Sequence, residues 1–71
     1  MTYRDLEKVI ENNNLSVDRT LVRLAYEFAE EAHKDQTRRN GEKYIDHPLH
    51  TAKTLAEIRM DEPTIIAGLL H

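Results

Sequence analysis

The sequence predicts an all-α fold of about four helices, and three observations carry that prediction. Apolar residues recur at three- and four-residue spacing in separate stretches, as they do in helices that bury one face. Helix formers dominate, with only two Gly and two Pro among 71 residues. Residues 65–70 are uninterruptedly apolar, which is too short for a bilayer span but suits a helix inside a domain.

The first helix is expected from Tyr3 to Asn12. Thr2 stands ready as N-cap, Asp5 lies near the positive helix end, and Tyr3, Leu6, Val9 and Ile10 make the apolar stripe. The three asparagines at 12–14 end it. The second helix is expected to start after Ser16 or Asp18 and to reach Asp35. Its core-facing stripe is expected to be Leu21, Val22, Ala25, Phe28, Ala29 and Ala32. Glu27, Glu30 and Glu31 read as a solvated face, with Glu30 and Lys34 paired one turn apart. Residues 36–46 break the pattern at an Asn40-Gly41 turn, and Tyr44-Ile45 is expected to pin that loop to the body. Pro48 suits the first position of a third helix, whose Leu49, Ala52, Leu55 and Ala56 face inward and which ends near Met60. The fourth starts after Asp61 with Pro63 in its first turn. No glycine stop or polar tail follows Leu70, so a buried helix is expected to continue and the core to be incomplete.

The chain is long enough for one domain, and it has no cysteine, which excludes disulfides and thiolate metal sites. The net charge of −3 argues against general nucleic-acid or membrane-surface binding. Charge is unevenly spread, because residues 34–43 hold four basic and two acidic residues and leave −5 to the remainder. That asymmetry suits a localised anion site. Residues 1–10 are charged and amphipathic, unlike a secretory signal, and a cytoplasmic location is expected.

Four histidines keep an imidazole and carboxylate metal site open. His47, just before Pro48 at the expected N-cap, reads either as a metal ligand on a rigid base or as a capping residue. His71 leaves the apolar helix and needs a partner, either a core hydrogen bond or a metal. His50 falls off the inward stripe and reads as a surface residue, while His33 suits the negative end of its helix. Arg38 and Arg39 flank the Asn40-Gly41 turn. Arginine forks match phosphates and stack on bases, although taken alone these arginines read first as a charged loop in water.

These pieces occur together in a known pattern. The stretch Tyr26-Glu27-Phe28-Ala29-Glu30-Glu31-Ala32-His33, then Gln36-Thr37-Arg38, then Asn40-Gly41-Glu42-Lys43-Tyr44-Ile45-Asp46-His47-Pro48-Leu49, resembles the opening of RelA/SpoT hydrolase domains. Thr64-Ile65-Ile66-Ala67-Gly68-Leu69-Leu70-His71 is similar to the segment leading into the His-Asp doublet of the HD superfamily. The resemblance covers residues 21–71, with residues 1–14 resembling the leader of the long, bifunctional members. It implies an HD-domain helical bundle, truncated, with residues 1–14 as a leader helix and 18–71 as the HD-like helices of one domain. By the same resemblance, His47 and His71 match ligands of a divalent metal, usually manganese. Arg38 matches the arginine that lies against the guanine base, and Arg39 and Asn40 face the nucleotide where the family commonly has Lys and Ser.

The implied reaction is hydrolysis of the 3′-pyrophosphate of the alarmone (p)ppGpp. The residue types suit it, since a polyanionic ester repels hydroxide and needs a metal and an arginine to screen it. The aspartate expected after His71, the fourth ligand and the acidic pair that positions water are all expected past residue 71. The metal site is therefore expected to be incomplete, and the 71 residues inactive as they stand. Two other readings remain: an HD phosphohydrolase for different nucleotides, and a non-enzymatic helical module that self-associates through the apolar residues 65–70.

Overall fold

The structure is a computed structural model that describes residues 1–36, 41 and 43–70. Its four elements are all helices: α1 (Tyr3–Asn12), α2 (Arg19–His33), α3 (Asp46–Glu57) and α4 (Glu62–Leu70). α4 packs against both α3 and α2, and α1 packs against α3.

Local chemistry sets the helix ends. Asp5 accepts a hydrogen bond from the Thr2 backbone N–H at 2.9 Å, closing the first turn of α1. Asn14 takes a left-handed conformation (φ 51°) just past α1, and its N–H reaches Glu11 O at 3.1 Å while Leu15 N–H reaches Ile10 O at 3.1 Å. That pair of bonds satisfies carbonyls the helix would otherwise leave open. Asp18 caps α2 through Thr20 N–H (2.9 Å) and Leu21 N–H (3.3 Å), and its own N–H donates to Glu62 at the start of α4. α3 closes as α1 does. Arg59 is left-handed (φ 63°), its N–H bonds Ala56 O and Met60 N–H bonds Leu55 O, each at 3.0 Å. A non-glycine there costs about 1 kcal/mol. The Arg59 guanidinium offsets this by donating to Asn13 O at 2.8 Å, placing a cation on the C-terminal end of α1.

The core joins Leu6 and Ile10 of α1, Val22 of α2, Leu49 and Ala52 of α3, and Ile65 and Leu69 of α4. The first helix is thus part of the same core as the other three. Gly68 marks the closest approach of α4 to α3: a β-carbon there would lie 2.9 Å from Leu55 Cδ1 and 3.5 Å from Thr51 Cγ2. Small residues at such a crossing let the helix backbones close on one another.

Three expectations need correcting. On α2 only Val22, Ala25 and Ala29 are buried; Leu21, Phe28 and Ala32 are exposed, because α1 and α4 lie to one side of a helix whose apolar arc is wider than either can cover. α4 is buried as expected at Ile65 and Leu69, but not all round, since Ala67 and Leu70 on its far side are open. Lys34 pairs with Glu31 at 3.0 Å rather than with Glu30, whose carboxylate accepts the Tyr26 hydroxyl at 2.9 Å.

Candidate metal centre

The candidate site begins where α2 gives way to the loop. His33 stacks on Tyr44, with ring centroids 4.3 Å apart, and its Nδ1 lies 3.0 Å from Gln36 Oε1. Tyr44 N–H donates to Gln36 O at 3.2 Å, so the two ends of the loop are tied together. The segment between those ends carries the arginines. Burial of Ile45 then fixes the chain against the body, while Tyr44 stays exposed outside its stack on His33.

α3 starts two residues earlier than its proline suggested. Asp46 N–H reaches Lys43 O at 3.1 Å and His47 N–H reaches Tyr44 O at 3.2 Å, so turn bonds lead directly into the helix. Pro48 sits third in the helix, where a missing N–H still costs nothing because the first four are unpaired anyway. His47 is accordingly not an N-cap. It is the second residue of α3, with an exposed side chain and its carbonyl accepting from Thr51 Oγ1 at 3.2 Å.

His47, His50, Thr51, Thr54 and Leu55 line one shallow groove of about 270 Å³ along α3. Thr51 and Leu55, which help line that groove, also face Gly68 of α4, together with Ala52. His47 therefore stands one turn before the α3–α4 contact. His50, exposed as expected, shares the groove with it.

Arg38, Arg39, Asn40 and His71 lie outside the described residues. Among the described residues, no group of three or more His, Cys, Asp or Glu side chains is placed to hold a metal ion. Asp46, half-buried beside His47, is the nearest carboxylate in sequence. Its charge, together with burial and Glu30, helps push the Tyr26 hydroxyl up to about 12, burial being the largest cause. Sequence reasoning singled out His47 but not its place inside the helix.

Comparison with known proteins decides the family, for the HD domain matches residues 25–71. The chain belongs to the HD domain family. HD domains are a fold of metal-dependent hydrolases. The chain is 49% identical over 67 residues to a guanosine-3′,5′-bis(diphosphate) 3′-pyrophosphohydrolase of Aquifex aeolicus, covering 94% of this chain and 9% of that protein. It is 54% identical over 50 residues to a protein of the same name from Spiroplasma citri, covering 70% and 7%. It is 46% identical over 54 residues to the bifunctional (p)ppGpp synthase/hydrolase RelA of Mycobacterium tuberculosis, covering 76% and 7%. The chain thus spans less than a tenth of the length of these curated relatives. The resemblance to RelA/SpoT hydrolases read from the sequence is met by these HD-domain relatives, and the four-helix all-α fold agrees with it. No solved structure matches the chain. No described helix is long and apolar enough to cross a membrane.

Proposed function

We propose that this chain supplies part of the catalytic domain of a metal-dependent (p)ppGpp 3′-pyrophosphohydrolase acting in the cytoplasm. The observation that carries the proposal is the 49% identity, across nearly the whole chain, to a relative named for that reaction. In this reading residues 18–71 contribute the HD helices and residues 1–14 a leader helix joined to their core.

His47 and His71 would hold a divalent cation, manganese by the family resemblance. The contact between α3 and α4 supports that pairing: Gly68 meets α3 one turn after His47, and His71 follows three residues after Gly68 in the chain. When bound, such a metal lowers the pKa of water and screens phosphate oxygens. The protein's own part is positioning. The start of α3 gives His47 a rigid base, and the His33–Tyr44 stack holds together the ends of the loop that carries Arg38. Arg38 would stack on the guanine, with Arg39 and Asn40 toward the phosphates.

The test is a chimera in which this chain replaces the aligned segment of the Aquifex aeolicus protein. With Mn²⁺ it should release pyrophosphate from ppGpp and leave GTP and ATP largely untouched. Equal turnover of ordinary nucleoside triphosphates, or a folded chimera inert toward ppGpp, would overturn the proposal.

A further inference from the structure

One aromatic pair sits outside the core. His33 ends α2 and Tyr44 comes just before α3, and their rings stack with centroids 4.3 Å apart. Neither residue is buried, and Tyr44 keeps 37% of its surface exposed. Their contact therefore acts on the chain between them. Further bonds close the same segment. Gln36 O accepts from Tyr44 N–H at 3.2 Å, and Gln36 Oε1 lies 3.0 Å from His33 Nδ1. An amide oxygen only accepts, so Nδ1 carries the hydrogen of that bond. Gln36 N–H also donates to His33 O at 2.9 Å. Ring, side chain and backbone thus fasten Gln36 to Tyr44, and both to the end of α2.

The start of α3 has anchors of its own. Ile45, next in the chain, is buried, and the Asp46 and His47 N–H groups bond the Lys43 and Tyr44 carbonyls. Those contacts hold His47 without the Tyr44 ring. On the other side, Arg38 follows Gln36 by two residues, and Arg39 and Asn40 come next in sequence. Loss of the ring therefore loosens the arginine side of the junction and spares the histidine side. A binding loop whose ends are already joined has less freedom to lose when its ligand arrives.

We propose that His33, Gln36 and Tyr44 are positioning residues that preorganise the arginine loop for the nucleotide, setting substrate affinity and leaving the metal alone. The inference rests on the (p)ppGpp hydrolase reading above. The three act through the arginines rather than on the substrate. Removing binding that ground state and transition state share raises KM and leaves kcat unchanged.

Two measurements test this. In the 71-residue chain, hydrogen exchange at the residue 44 amide reports the bond to Gln36 O with no reaction involved. Tyr44→Ala and His33→Ala should each lower its protection about fivefold, the size of a lost aromatic contact, with the far-UV CD spectrum unchanged. Tyr44→Phe keeps the ring and should protect the amide as the unaltered chain does. In the Aquifex aeolicus chimera, Tyr44→Ala should raise KM for ppGpp about fivefold, hold kcat within about twofold and retain bound Mn²⁺, and Tyr44→Phe should restore KM. Unchanged protection or unchanged KM in Tyr44→Ala, or Tyr44→Phe behaving as Tyr44→Ala, would overturn the inference. So would a fall in kcat with loss of Mn²⁺, which would tie the ring to His47 instead. An unsubstituted chimera inert toward ppGpp is a different failure: it would sink the hydrolase reading, and this inference with it.

Discussion

Truncating Ile65 tests the packing that brings α4 onto α3. Ile65 has no accessible surface and joins residues from all four helices in the core. Ile65→Ala removes the γ and δ carbons, worth about 0.8 kcal/mol each in transfer free energy alone. The cavity left behind raises the loss to about 2–5 kcal/mol, since neighbours relax only partly. Seventy-one folded residues correspond to roughly 4–10 kcal/mol of stability, so this single change should consume a large share of it. Leu70 lies on the same helix but is 50% exposed, and Leu70→Ala should cost about 1 kcal/mol or less. Urea unfolding followed by far-UV CD measures both. Equal losses, or a loss below about 1 kcal/mol for Ile65→Ala, would mean that α4 does not pack through its Ile65–Leu69 face.

Other perturbations probe the supports of the bundle. The Tyr3 hydroxyl is buried without a hydrogen-bond partner among the described residues, so Tyr3→Phe should be neutral or raise stability by up to about 1 kcal/mol, and a clear fall in Tm would contradict the burial. Arg59→Ala should cost about 1 kcal/mol by releasing Asn13 O, whereas Arg59→Gly should come out nearer neutral because glycine relieves the left-handed strain; denaturant midpoints distinguish the two. Hydrogen bonds hold Asp5, Glu11 and Asp61 below their ordinary values of 3.8, 4.5 and 3.8, through Thr2, Arg4 and Thr64 respectively. Carboxyl groups lowered on folding stabilise the native state above their unfolded pKa. Stability should therefore hold from neutral pH to near pH 4.5 and fall as the pH drops through the folded values; a flat acid limb in Tm against pH would count against these bonds.

Much of the fold was legible because helix ends are written in local chemistry. Thr2 and Asp5, the asparagines at 12–14, Asp18 and Pro63 each mark a boundary through a hydrogen bond or a backbone restriction between near neighbours, and α1 fell where they placed it. The start of α3 was misread because Pro48 is compatible with several first-turn positions, and only the turn bonds from residues 43–44 choose among them. The α2 stripe was misread for a different reason. Periodicity shows that Leu21, Val22, Ala25, Phe28 and Ala29 share an apolar arc, but which part is covered depends on where α1 and α4 lie. Arg59 gave no warning at all, since arginine has no preference for left-handed backbone and its role as a cap on α1 is a tertiary contact. At the site, the histidine before a proline pointed to His47, and the groove it shares with His50 needed coordinates.

That shared groove sets the most direct test. In the Aquifex aeolicus chimera, His47→Ala and His50→Ala remove neighbouring imidazoles that are both exposed and differ in proposed role. Hydrolysis of ppGpp with Mn²⁺ should fall on the order of a thousandfold for His47→Ala, with bound metal lost, and stay within about threefold for His50→Ala. Full activity in His47→Ala, or the large loss appearing in His50→Ala instead, would contradict the assignment of the metal to His47.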